Sequence, residues 1–96
     1  MVVTMLQAQI DKDRSGQLIE SFEAGRRNLP EAIRESFLLH ELNSDLWRIM
    51  TIWESREALD RYRTSEETPG GVLMFRSAGA EPDLAIFDVE GYLHHA

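Results

Sequence analysis

The side chains in this sequence with chemistry to offer fall mostly between positions 40 and 76. His40 sits within an apolar stretch, where its imidazole either titrates near neutrality or simply meets solvent. Tyr62 lies on the apolar stripe of a helical pattern, either as a hydroxyl donor or as a core residue whose hydroxyl is satisfied internally. Arg48 and Arg76 are permanent cations and hydrogen-bond donors. For Arg76 the choices are a contact to substrate or an ion pair with a carboxylate on a partner subunit. Trp53 closes an alternating run, as pocket wall or as core, and Met74-Phe75 read as packing residues or as a lid. Glu66-Glu67 is a solvated charge run, and His94-His95 reads as a frayed tail, since two adjacent histidines do not by themselves make a defined metal site. There is no Gly-rich phosphate loop, no Ser/His/Asp spacing and no paired-carboxylate signature. With no cysteine, thiolate catalysis, disulfides, Fe–S clusters and Cys-ligated zinc are all excluded.

The totals narrow the partners. Ten Lys and Arg against seventeen Asp and Glu leave a net charge of −7, the wrong sign for a nucleic-acid footprint or an anionic membrane surface. No apolar run approaches the ~18 residues that a membrane span needs. The opening MVVTMLQAQI carries no basic segment and no small-residue cleavage site, so it reads as a first strand, with the cytoplasm as the default compartment. The 96 residues make one domain spanning 1–96. A chain of this size hides only roughly 60–65% of its unfolded surface when it folds, so burial against a partner would help it.

The elements that must position these residues follow from periodicity. Val2 to Ile10 reads as a strand, stopped by Asp11-Lys12-Asp13. From Gln17, Leu18, Ile19, Phe22 and Leu29 form one stripe of an amphipathic helix, ended by Pro30. Ala32 to Leu42 is the second strand, Asn43-Ser44-Asp45 a short turn, and Leu46 to Trp53 the third strand of a hairpin. Ser55 is placed to cap a second helix, with Glu57 in its first turn and Ala58, Leu59 and Tyr62 on its inner face. The segment from Glu66 to Gly71 breaks that helix, and Val72 to Ser77 fits a helical turn or a loop. Asp83 to Leu93 reads as the last strand. The order β-α-β-β-α-β predicts an α+β fold of ferredoxin-like type, a four-stranded antiparallel sheet with both helices on one face.

A sheet with helices on one face should be polar on the other. Here the third strand points Leu46, Met50 and Ile52 one way and Trp47, Ile49 and Trp53 the other. On the second strand, Ile33, Phe37 and Leu39 are expected to oppose Leu38 and Leu42. Two apolar faces predict a second copy packed sheet against sheet, a homodimer. The alternative is that the 66–82 segment folds over the open face within a monomer.

Trp53-Glu54-Ser55-Arg56-Glu57-Ala58, a W-E-S-x-E-A at a strand-to-helix junction, resembles the signature of the antibiotic biosynthesis monooxygenase (ABM) domain family. Thr68-Pro69-Gly70-Gly71-Val72-Leu73-Met74-Phe75 and the closing Glu81-Pro82 and Phe87-Asp88-Val89 are similar to members of that family. The resemblance covers the whole chain in element order and is specific from Leu46 to Val89. It implies a dimeric α/β-barrel with a pocket between sheet and helices in each subunit. Known relatives include cofactor-free oxygenases of quinols and polycyclic phenols, and haem-degrading enzymes. The haem-degrading branch uses an Asn on the first strand, a Trp in the second helix and a His beyond it; here Gln7, Gln9 and Tyr62 stand nearest, and no histidine lies between His40 and His94. The oxygenase branch implies a site needing neither metal nor flavin, with a base or donor at the substrate oxygen. Carried over, the catalytic candidates are His40, Tyr62 and Arg76, and the substrate-binding candidates are Trp53, Phe22, Phe75 and Met74. Some relatives carry an Asn where this chain has Ile49. The implied function is a cofactor-independent monooxygenase of a small aromatic or quinol-like compound. The alternative is a non-catalytic ligand-binding or structural dimer of the same superfamily.

Overall fold

In a computed structural model, which describes residues 1–65 and 69–95, the chain forms one antiparallel sheet covered on one side by helices. The strands are β1 (Val2–Gln9), β2 (Ile33–His40), β3 (Leu46–Trp53) and β4 (Asp83–Asp88), and their order across the sheet is β2-β3-β1-β4. The helices are α1 (Ser15–Ala24), α2 (Arg56–Ser65) and α3 (Gly70–Ser77), with short 3-10 turns at Lys12–Arg14 and Gly25–Asn28 flanking α1. This is the expected α+β, ferredoxin-like arrangement with one addition: Val72 to Ser77, which the sequence left undecided, belongs to α3. Among the described residues no helix is long and apolar enough to cross a membrane.

Local chemistry sets several boundaries. The Ser55 hydroxyl accepts the Ala58 N–H at 3.1 Å and starts α2. After α1 and its 3-10 extension, Leu29 turns extended (φ −66°, ψ 120°) because Pro30 bars it from helical geometry. In the β2–β3 connection Asn43 takes φ 58°, a left-handed conformation that Asn tolerates better than most residues.

Three expectations give way. β2 ends at His40, not Leu42, which is exposed in the turn. β4 ends at Asp88, not Leu93. Among the described residues its neighbour in the sheet is β1, and the last bond between them runs from Val89 N–H to the Met1 carbonyl, 3.1 Å. With no further partner, the residues that follow leave the sheet. Ile33 also sits on the opposite face from that expected. A register shift between Ile33 and Glu35 puts an extra residue, Arg34, into β2. The bulge turns Ile33 inward beside Trp53, while Phe37 and Leu39 stay on the open face.

The inner face of the sheet carries two apolar clusters. One joins Ile10, Leu18, Trp47, Ile49, Phe75 and Ala78; the other joins Val2, Trp53 and Leu59, with Ile33 and Tyr62 against it. The outer face carries Val3 and Met5 of β1, Phe37 and Leu39 of β2, Met50 and Ile52 of β3, and Phe87 of β4. Phe37 is 40% and Phe87 50% exposed. α3 packs on α1 and on β1 from the inner side, so it does not cover this outer face.

Candidate functional site

Between the helices and the inner face lies a cavity of about 750 Å³. Its floor is sheet: Thr4 and Leu6 of β1, Ser36 of β2, and Ile49, Thr51 and Trp53 of β3. Its walls come from Phe22 of α1, Leu59 and Tyr62 of α2, and Gly71, Val72 and Met74 of α3. The size and largely apolar lining suit a small organic molecule.

The aromatic wall is anchored by hydrogen bonds. Trp53 Nε1–H donates to Thr4 Oγ1 at 2.9 Å, tying β3 to β1. The Trp53 and Tyr62 rings meet at 5.1 Å with a 48° tilt, a favourable offset for their quadrupoles. The Gly70 N–H donates to the Tyr62 hydroxyl oxygen at 3.0 Å and so fixes the start of α3 against α2. Gly71 allows close approach at the same corner, since a Cβ there would stand 2.6 Å from Leu6 Cδ1. On the floor, Ser36 Oγ and Thr51 Oγ1 are 3.0 Å apart.

Of the expected site residues, Trp53, Phe22, Met74, Tyr62 and Arg76 line the cavity. His40 does not. It shares the inner face of β2 but lies beyond Leu38, at the turn end of the strand. There its ring stacks on Trp47 (4.1 Å, 6°), and its Nε2 lies 2.6 Å from the Ser44 carbonyl. These contacts place it in a separate hollow of about 440 Å³ with Lys12 and Asp45. Phe75 is fully buried among Ile10, Leu18 and Trp47, behind the cavity wall, because α3 turns that side toward α1. Arg76 pairs with Glu81 of its own chain through two guanidinium–carboxylate bonds, not with a carboxylate from elsewhere. Hydrogen bonding to Arg76 holds the Glu81 carboxyl below its usual value, and Glu81 in turn raises Arg76. Arg48 lies on the outer face, where its Nε–H donates to Gln7 at 2.9 Å. Glu66 and Glu67, read as a solvated run, and Thr68 lie outside the described residues.

The hydroxyls of Thr4, Ser36 and Thr51 were not singled out from the sequence. A signal was present: Trp47, Ile49, Thr51 and Trp53 alternate along one strand, which puts Thr51 among large inward residues. Thr4 and Ser36 carry no comparable local mark.

The family model for antibiotic biosynthesis monooxygenases matches residues 1–68. The chain belongs to this family. Solved structures share the fold at low identity. SnoaB, a cofactor-independent oxygenase from Streptomyces nogalater, is 14% identical with a TM-score of 0.70, over 98% of this chain and 97% of that one. A MhuD mutant solved with two manganese protoporphyrin IX molecules per active site is 16% identical with a TM-score of 0.72, over 99% and 100%. Rv0793 from Mycobacterium tuberculosis is 16% identical with a TM-score of 0.65, over 99% and 97%. A search of curated protein sequences finds no match. The cavity lining holds no histidine. Gln7 and Gln9, nearest to the Asn of the haem-degrading pattern, lie on the outer face.

Proposed function

We propose that this member of the antibiotic biosynthesis monooxygenase family oxidises an aromatic or quinol-like compound with O₂, without metal or flavin, as a homodimer. The observation that carries the reading is the aromatic wall. Trp53 and Tyr62 are fixed at a 48° tilt to each other over an apolar cavity whose floor bears hydroxyls and no ionisable group. Such a pocket takes a flat ring. A phenolate held there passes one electron to O₂, the radical pair closes to a C–O bond, and the resulting peroxide loses water to leave a quinone. Phenol plus O₂ thus becomes quinone plus water, and the electrons come from the substrate.

In this reading Tyr62 is a hydrogen-bond donor to the ligand at the α2–α3 corner, since its own oxygen already accepts the Gly70 N–H and its proton is free. Trp53, Phe22 and Met74 hold the ring, and Arg76 stands at the mouth beside Glu81. His40 and Phe75 have no contact with substrate. No imidazole lines the cavity to take the substrate proton.

The outer sheet face supports the dimer. A standard interface buries about 800 Å² per partner, and Val3, Met5, Phe37, Leu39, Met50 and Phe87 form one continuous apolar surface for it. Sedimentation tests this directly: a stable monomer at micromolar concentration refutes the dimer.

One feature of the site favours a second reading, binding without turnover. Arg76, the cation expected to act there, is already engaged by Glu81. Oxygen uptake by the pure protein on a panel of hydroquinones and naphthols separates the two. Consumption above blank with no added metal or flavin supports the oxygenase. No consumption with thermal stabilisation by the same compounds leaves the binder, and neither response refutes both.

A further inference from the structure

Through the middle of the inner face of the sheet runs one line of hydroxyls. Ser36 of β2 pairs across to Thr51 of β3, and Thr51 to Thr4 of β1. On one side of this row stand Leu38, Ile49 and Leu6; on the other stand Ile33, Trp53 and Val2. The row therefore runs between the two apolar clusters, under the cavity. Thr4 and Thr51 are each only 7% exposed, and a core gains nothing from hydroxyls at such positions, because each buried hydroxyl costs free energy unless partnered.

Counting hydrogens shows what is left over. The Trp53 indole N–H donates to Thr4 Oγ1, so Thr4 is already an acceptor. Ser36 and Thr51 share one bond, in which one hydroxyl donates and the other accepts. The three hydroxyls carry three protons, and that bond uses one. The Thr4 proton and one proton of the Ser36/Thr51 pair have no side-chain acceptor among the described residues. All three residues line the cavity.

We propose that the row Ser36–Thr51–Thr4 is the binding site for the phenolate oxygen of an aromatic ligand, with the spare hydroxyl protons donating to it. The proposal rests on the reading of this cavity as an aromatic site. The donors are neutral and preset by the indole and by each other, so they favour an oxygen that only accepts. A phenolate is such an oxygen, whereas a neutral phenol brings a competing proton. Trp53 acts here through Thr4: its N–H is spent on orienting that hydroxyl and does not reach the ligand. The row thereby lowers the pKa of a bound phenol, which supplies the ionised substrate that the cavity has no imidazole to make.

The test follows the absorbance of 4-nitrophenol bound to the full chain across pH, with 4-nitroanisole, which cannot ionise, as the control ligand. The expected result is a bound pKa lower than the free value by about one unit, which is anion binding about tenfold tighter than neutral binding. Thr51→Val and Ser36→Ala should shrink that shift and leave 4-nitroanisole affinity within about twofold. Thr4→Val should do the same, and where it fails to fold, Thr4→Ser, which keeps the hydroxyl, should retain the full shift. A bound pKa equal to the free one, or a shift that Thr51→Val and Ser36→Ala leave intact, overturns the hydroxyl row while the aromatic cavity stands. Failure of both ligands to bind overturns the cavity as an aromatic site, and this proposal with it.

Discussion

Thr4→Val isolates the bond that braces the aromatic wall. The substitution keeps the branched shape, and Thr4 lies in a strand, where Val is at least as well suited. What changes is the acceptor for the Trp53 indole N–H, whose side-chain partner is Thr4 Oγ1 at 2.9 Å. Trp53 is 5% exposed, so the N–H is stranded away from bulk water. An unpartnered buried donor costs about 1–3 kcal/mol, and we take ~2 kcal/mol as the expected loss. For a domain of this size, ~1 kcal/mol moves Tm by about 4–8 °C, so the expected drop is roughly 8–16 °C. Urea and thermal unfolding measure it, all variants at one protomer concentration because association would add to apparent stability. The decisive control is Trp53→Phe, which removes the donor. In that background Thr4→Val should cost less than about 0.5 kcal/mol, leaving a coupling of about 1.5 kcal/mol between the two positions. A Thr4→Val variant as stable as the parent, or one equally costly with and without the indole, refutes the argument.

Three further outcomes are expected. Phe87→Lys puts a charge on the β4 side of the open apolar face, and sedimentation should then give a monomer; an unchanged association state would rule out this face as the interface. Glu81→Gln removes a carboxylate that Arg76 holds below its ordinary value of 4.5. Because the folded value is depressed, the pair's contribution is present above the unfolded value and fades as pH falls through the lowered one. Parent and variant should therefore differ slightly at neutral pH and converge in acid, once the pH is below the lowered Glu81 value. The neutral-pH gap should be small and shrink with salt, since both groups are exposed; a gap that persists in acid would show another cause. Gly71→Ala drives a Cβ to 2.6 Å from Leu6 Cδ1, so the end of Leu6 must move into the cavity. Ligand affinity should fall by about tenfold and return in the Gly71→Ala/Leu6→Val double variant; no loss would show that α3 shifts instead.

What was legible in the sequence was local. Ser55 as a cap, Pro30 as a stop and the alternation through Trp47, Ile49, Thr51 and Trp53 depend on a few neighbouring residues, and each reappears in the structure. Those signals, with element order, were enough for the fold class and for much of the cavity wall: Phe22, Trp53, Tyr62 and Met74 all face it. What escaped depends on pairing between residues far apart in the chain. One extra residue in β2 reverses the face of Ile33, and no local pattern announces a bulge whose reason is the fit of Ile33 beside Trp53. His40 alternates correctly onto the inner face yet stands beyond the cavity, because position along a strand relative to the helices is set only when those helices dock. Ser36, Thr51 and Thr4 lie up to 47 residues apart in the chain and become one row only through the register of three strands. Periodicity is a property of a segment and can be read from it; register is a property of pairs of segments, and only the folded sheet supplies it.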